Sequence, residues 1–408
     1  MGPFFRQLAT ELQEDLNATV TKINLNGGDA WDFRGPEAQE YTGTLAEWPA
    51  YVRRVMEERR IDHVLLFGDL REYHRLAIAE ARELQIGVHV FEEGYLRPDY
   101  VTLERNGVNA RSTLPRSRGF YRRFARDRVE RPQPVGHIFW FAALHAACYA
   151  VAMYLRRGSF PHYRHHRDLH PLREGLRWML RGAFHKLCWR LRDRHATSLL
   201  TGPLSKRFFL VPLQVHNDFQ VRGSACTSVE AFIEQVTATF AKHAPNQQHL
   251  VFKHHPLDRA YRNYTSLLQE LTQKYGLQGR VHYVADLHLP TLLAHTRGTI
   301  VLNSTVGLSS LQRGVPTIAL GDSIYSLAGL SYSKGLTRFL RSPGQVDRTA
   351  VKGFCTYLAR KNQLGGSFYK RACLPTMTGP KVRSAAAALK PVRASGSFAP
   401  IAGSIEPR

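Results

Sequence analysis

Acidic residues are scarce in this chain: 33 Asp+Glu face 56 Lys+Arg over 408 residues, a formal charge of +23. That excludes an acidic disordered scaffold, and 43% hydrophobic with 11% aromatic residues supplies ample material for buried cores. The length favours two lobes over one. Cysteine is scarce as well. The five thiols, Cys148, Cys188, Cys226, Cys355 and Cys373, include no Cys-x-x-Cys and no Cys/His zinc spacing, which excludes a disulfide framework and a structural metal and fits a reducing cytoplasm. No Gly-x-Gly-x-x-Gly, Walker loop, His-Glu-x-x-His or Asp-x-Asp triplet occurs. The chemistry expected is therefore metal-free and cofactor-free, with protein cations stabilising a leaving phosphate. The N-terminus has no secretory or transit pattern. Long apolar runs are lacking save one: residues 138–155 are uncharged, Ala-rich and flanked by arginines. They are read as a packed or interfacial helix ahead of a membrane span.

What the chain has is alternation. Strand-like runs at 19–24, 63–68, 87–91, 208–215, 250–253, 281–284, 299–302 and 317–320 alternate with helical runs such as 4–16, 45–59 and 71–85. This is the pattern of α/β layers on parallel sheets, and both halves look Rossmann-like. Between them, residues 116–207 carry 20 Lys+Arg against 5 Asp+Glu, so +15 of the charge sits in one segment. There Leu176, Leu180, Ala183, Phe184, Leu187 and Leu191 form an apolar helical stripe flanked by Arg177, Arg181, Lys186 and Arg190, with Trp178 and Trp189. Such a helix suits an anionic membrane surface, or equally an inter-lobe position with the stripe buried in protein. It contains no motif that reads DNA or RNA, which weakens nucleic acid as the partner. The Ala/Ser/Gly/Pro-rich tail from about Pro375 is expected to be disordered.

Ligands of parallel sheets gather where strands end and helices begin. After the strand at 299–302 come Asn303, Ser304 and Thr305, a phosphate cradle or a simple helix cap. After 250–252 come Lys253, His254, His255 and Pro256, three donors suited to a phosphate, or a solvated basic turn. The strand 87–91 ends in Glu92-Glu93-Gly94-Tyr95-Leu96-Arg97, where adjacent carboxylates offer a general base or form an acidic loop. The strand 208–215 runs through Gln214 into His216-Asn217-Asp218, and Asp69 follows 63–68. Either Asp serves a cleft or an Asx-turn.

These motifs, in this order, resemble the capsular polysaccharide biosynthesis and export family of KpsS/LipB type. The runs that carry the resemblance are FGDLREYH (67–74), FEEGYLRPDYVTLE (91–104), PLQVHND (212–218), FKHHPLDR (252–259), DLHLPTLL (286–293), NSTVGLSSL (303–311) and GSFY (366–369). The resemblance implies an α/β, GT-B-like fold: two Rossmann-type lobes with parallel sheets facing a central cleft, and a basic helical segment between them. The divisions expected are 1–115, 116–205, 206–372 and a tail, 373–408. The implied activity is that of a β-Kdo transferase of Gram-negative bacteria. It would move Kdo from CMP-Kdo to a phosphatidylglycerol-type lipid with retention, on the cytoplasmic face of the inner membrane, beside other capsule biosynthesis and export proteins. A non-catalytic export scaffold that holds the nascent glycolipid is the alternative. Under the resemblance Asp218 is the nucleophile and Glu92, with Glu93, the acid/base. Lys253, His255, Pro256, Asn303, Ser304, Thr305 and Gln214 would bind the donor, with Asp69, Arg97 and Asp286 as further candidates. In the family a strand precedes the Gly-Pro-Phe-Phe run, whereas here Met1 directly precedes Gly2, so the first strand of the N-terminal sheet is expected to be missing.

Overall fold

The computed structural model describes residues 3–165, 178–217 and 226–370. Asp218, Leu176 and the tail from 373 onward lie outside the described residues. The C-terminal half is an all-parallel five-stranded sheet of β6 (Phe208–Pro212), β7 (His249–Lys253), β8 (Val281–Val284), β9 (Gly298–Val301) and β10 (Thr317–Ala319). Its spatial order is β10-β9-β6-β7-β8. Counted within the lobe from the β8 edge this is third, second, first, fourth, fifth, the doubly wound Rossmann order. β6 reads as a continuous apolar run, and both β6 and β9 are buried along their whole length, as strands covered on both faces must be.

The N-terminal half holds β1 (Lys22–Asn24), β2 (Ala38–Glu40), β3 (His63–Phe67), β4 (Gly87–Glu93) and β5 (Tyr100–Arg105). In its four-stranded sheet β3 and β4 pair in parallel; β5 is antiparallel to β4, and β11 (Gln363–Gly365) is antiparallel to β5. The N-terminal sheet is thus mixed, with the parallel pair β3 and β4 extended by two antiparallel strands. The Gly94 to Pro98 turn is too short for a crossover helix, so the chain can only double back. β1 pairs with β2 alone, as a separate two-stranded parallel sheet.

The helices of the first half are α1 (Phe4–Leu16), α2 (Gly27–Asp32), α3 (Trp48–Glu58), α4 (Glu72–Glu83) and α5 (Arg118–Arg122). The basic segment contributes α6 (Phe139–Leu155), α7 (Ala183–Arg192) and α8 (Arg194–Thr201). α6 lies on α2, and Gly27 and Gly28 make this possible: a Cβ on Gly27 would lie 2.5 Å from the Ala152 carbonyl oxygen, and one on Gly28 2.6 Å from the Tyr149 ring. α7 is held to the C-terminal lobe by Trp189, buried against His254, and by Asp193, which accepts from the Ala285 and Asp286 amides at 2.6 and 3.0 Å. Among the described residues no helix is long and apolar enough to cross a membrane.

Candidate functional site

In an open doubly wound sheet the strand order reverses between the first and fourth strands, and the loops leaving them part to opposite faces and open a crevice. Here those strands are β6 and β9. Gln214, two residues past β6, donates from Nε2 to Asn303 Oδ1, two residues past β9, at 2.9 Å. The turn after β9 is tight: Tyr325 donates to the Ser304 carbonyl at 2.7 Å, and a Cβ on Gly307 would lie 2.3 Å from the Tyr325 hydroxyl. The Ser304 hydroxyl accepts from the Val306 amide at 3.3 Å, while Thr305 makes no side-chain cap bond. Beside them, past β7, the His255 ring accepts from the Leu257 amide through Nδ1 at 3.2 Å. That bond places the ring proton on Nε2, so a neutral His255 still offers a donor. Burial, with Lys253 and Arg97 adding, lowers its pKa to about 4. Pro256 opens the short 3-10 turn Pro256–Asp258 that fixes this geometry.

The opposing edge comes from the N-terminal half. Glu92 and Glu93 are the last two residues of β4, not a loop, and sit opposite Thr102 and Val101 of β5. A Cβ on Gly94 would lie 2.1 Å from the Tyr100 carbonyl, so only glycine lets the chain turn there. Burial pushes the Glu92 carboxyl up to about 7. The Glu93 charge adds to the rise, while the Glu93 amide, which donates to Glu92 at 3.0 Å, and the Arg71 and Arg97 charges pull it back. Arg97 thus acts on Glu92 and on His255 of the other lobe, so the ends of β4 and β7 share the field of one guanidinium.

The sequence pattern of the capsule polysaccharide biosynthesis proteins matches residues 62–369. The capsule polysaccharide export protein KpsS of Escherichia coli is 35% identical over 378 residues, 90% of this chain and 95% of that protein. The capsule polysaccharide modification protein LipB of Neisseria meningitidis serogroup A is 34% identical over 385 residues, 92% of this chain and 91% of that protein. This chain belongs to the capsule polysaccharide biosynthesis protein family. Among solved structures, the beta Kdo 2,7 transferase of Thermosulfurimonas dismutans KpsC aligns with 78% of this chain and 83% of its own, at TM-score 0.38 and 14% identity. That likeness is too low to carry an inference.

The matched span of this family member contains both edges of the cleft. Gln214, Asn303, Ser304, Thr305, His255 and Pro256 gather at the C-terminal edge, and Glu92, Glu93 and Arg97 at the other. Lys253 is redirected: its ammonium is buried and donates to the Ala285 carbonyl at 3.2 Å, so it fixes the loop after β8 instead of reaching out as a free cation. Burial lowers its pKa, against the nearby Asp286 charge. Asp286 itself pairs with Arg259 at 3.5 Å. His254, counted with its neighbours as a third donor, is a core residue 2% exposed, with burial taking its pKa to about 3. Asp69 is structural: it accepts from the Val108 amide at 3.2 Å and pairs with Arg111. Asp218 lies just past the described residue Asn217.

Two features escaped the sequence reading. His216 is held by the fully buried Asp258, which accepts from both its ring and its amide and from the Tyr264 hydroxyl at 3.3 Å. Tyr369 comes from beyond β11 to lie near Glu93, whose charge adds to the burial that raises the phenol's pKa. The Asp258 to His216 spacing of 42 residues gives no local signal. The GSFY run was visible as a motif, but without the return of β11 to the N-terminal sheet nothing connected it with Glu93.

Proposed function

We propose that this protein is a retaining glycosyltransferase that moves Kdo from CMP-β-Kdo to a phosphatidylglycerol-type lipid, starting the Kdo linker on which capsule is built. The observation that carries the reading is the cleft itself. A carboxyl raised to about 7 at the end of β4 and the neutral donors at the switch point of the other lobe both lie in the field of the Arg97 guanidinium. The donor's phosphate lies in the crevice against the His255 Nε2–H and the Ser304 and Thr305 hydroxyls, with Gln214 and Asn303 shaping its floor. Asp218 attacks the anomeric carbon, the bond from that carbon to the phosphate oxygen breaks, and CMP leaves with the electron pair. The acceptor hydroxyl then attacks the same carbon, its proton passes to Glu92, and the bond to Asp218 breaks. Two inversions give net retention. Protein donors stabilise the leaving phosphate, and the mechanism assigns no role to a metal or cofactor.

The lipid acceptor and an anionic membrane surface are proposed on a separate observation. α6 exposes Trp140 (78%), Leu144 and Leu155 on one face, and α7 with the π-helical turn before it exposes Leu180, Phe184 and Leu187 (62–64%). Of the two positions open for the basic helix, this exposure favours the membrane: Trp189 turns into protein and the leucine stripe turns out, flanked by Arg181, Lys186 and Arg190. The protein is thus read as peripheral on the cytoplasmic face of the inner membrane, working beside other capsule proteins.

Purified protein given CMP-Kdo and phosphatidylglycerol-type acceptor should release CMP and form Kdo-lipid. Asp218→Ala and Glu92→Ala should each cut turnover by about 100-fold or more. Turnover unchanged in both variants would remove the catalytic assignment. Glycolipid binding by wild-type protein without any CMP release would instead establish the scaffold reading, which the name of the KpsS relative, an export protein, keeps in view.

A further inference from the structure

Antiparallel register puts one residue from each of three strands in a single row. Glu92 of β4 lies opposite Thr102 of β5, and Thr102 lies opposite Gln363 of β11. Residues paired across an antiparallel ladder project from the same face of the sheet, so Glu92, Thr102 and Gln363 share one face. Thr102 is 0% exposed and Gln363 2%. Polar side chains so deeply buried must make their hydrogen bonds within the protein, and most of these go to the turn that follows Glu92. The Thr102 hydroxyl donates to the Glu93 carbonyl at 3.1 Å and accepts from the Tyr95 amide at 3.2 Å and from Gln363 Nε2 at 2.9 Å. A hydroxyl has one donor and two acceptor sites, and here all are filled. The Gln363 side-chain oxygen accepts from the Leu96 amide at 3.1 Å, across 267 residues of sequence. Glu93, Tyr95 and Leu96 are thus each held by a side chain from a neighbouring strand, and the Glu93 amide in turn donates to the Glu92 carboxyl at 3.0 Å.

The row also ties this turn to the C-terminal lobe. Gln363 comes two residues after the helix Arg348–Lys361, whose Phe354 and Leu358 are buried in one apolar cluster with Leu308 and Leu311. Those two leucines belong to the helix Val306–Gln312, which opens directly after Ser304 and Thr305. Tyr95, in the turn itself, is buried in the same cluster. The turn is therefore seated on the lobe that carries Ser304 and Thr305 and clamped by the strand that leaves that lobe. We propose that Thr102 and Gln363 are positioning residues: their row holds the turn after Glu92 and so fixes the Glu92 carboxyl against the donor lobe, where the acceptor hydroxyl attacks. The inference rests on the reading of Glu92 as the base of the second displacement. Neither side chain touches substrate, and both act through the backbone of residues 93–96. The leverage is large, because a displacement of about 1 Å in a reacting group costs about 100-fold in rate.

The two displacements separate a positioning role from a structural one. Release of CMP from CMP-Kdo in the absence of lipid reports the attack by Asp218, which does not use Glu92. Kdo transfer from the loaded protein to added phosphatidylglycerol reports the step that does. Thr102→Val and Gln363→Leu keep the side-chain size and remove the bonds. Each should slow transfer by about 10- to 100-fold while CMP release keeps its wild-type rate, and Thr102→Ser, which keeps the hydroxyl, should restore transfer. Gln363→Leu leaves the Thr102 hydroxyl in place and carries the test should Thr102→Val fail to fold. Release and transfer falling together would overturn the inference, since that marks a row which only stabilises the sheet. Wild-type transfer in both variants would overturn it as well. Glu92→Gln, measured alongside, separates the two readings. If it too transfers at the wild-type rate, the assignment of Glu92 fails and the positioning role falls with it; if it alone is slow, only the role of the row is wrong.

Discussion

Glu92 shows how one residue's surroundings decide its chemistry. A carboxylate in water ionises near pH 4.3, and at neutral pH it is a weak base with its proton long gone. Held at about 7 by burial, Glu92 instead gains and loses a proton near neutral pH, where a general base is most effective. As the base of the second displacement it must be ionised. Turnover should therefore rise with pH through about 7 and level off above it. Glu92→Gln should lower kcat by about 100- to 10,000-fold and flatten that limb. A pH–rate profile of wild type and variant checks both, and a rising limb that survives in Glu92→Gln would assign it to another group. The stability consequence has the opposite sign. Because the folded-state pKa lies above the unfolded one, ionised Glu92 costs stability as pH climbs from about 4.5 through 7, so Glu92→Gln should be the more stable protein at pH 8.

At the scale of elements, α6 and α7 share a design in which one face is tied to protein and the other is left apolar and open. Tyr149 bonds to Asn26 at 2.8 Å and Asp29 at 3.1 Å to dock α6, and Trp189 and Asp193 dock α7. Replacing Phe184 and Leu187 together by Glu should abolish binding to phosphatidylglycerol vesicles while leaving the melting temperature within about 2 °C, because both side chains are already in solvent. Vesicle cosedimentation beside a thermal melt reads this, and a large drop in melting temperature would show that the stripe packs on protein after all. The α7 stripe was legible from its spacing, as were the helices and most strands of the C-terminal lobe, because buried parallel strands write themselves as apolar runs. What was not legible is long-range pairing. Nothing local marks residues 363–365 as a strand of the N-terminal sheet, and the missing crossover between β4 and β5 shows only once their antiparallel register is seen. The same limit explains the site: the strand-end donors were found from their loops, while Asp258, Lys253 and Asp69 took their roles from partners far along the chain.

For the whole molecule, charge has two ledgers. The excess of basic residues on the segment between the lobes concerns partners, whereas stability against pH is set by the groups buried without their charge. His74, His89, His255 and His282 have pKa values lowered to about 4 and His254 to about 3, all chiefly by burial. A histidine that is neutral when folded and titrates near 6.5 when unfolded stabilises the fold above that pH and withdraws its contribution as pH falls toward 4. Glu92 and Glu104, both raised to about 7, work the other way and add stability over the fall from 7 to about 4.5. Five imidazoles against two carboxylates leave up to three protons bound on unfolding, at most about 4 kcal/mol per pH unit, less because His74, His255 and His282 are only half-buried. Against a total of roughly 5–15 kcal/mol, such a slope removes a sizeable share of the margin between pH 6.5 and 4.5. The protein should therefore melt steadily lower from pH 6.5 downward. Replacing His89 and His254, the two most deeply buried, by Phe or Leu should blunt that slope even where the variant is less stable at pH 8. Melting temperatures measured at half-unit steps from pH 8 to 4.5 decide it: a flat curve from 6.5 to 5 would mean that these imidazoles accept protons in the folded state and that their burial does not govern acid stability.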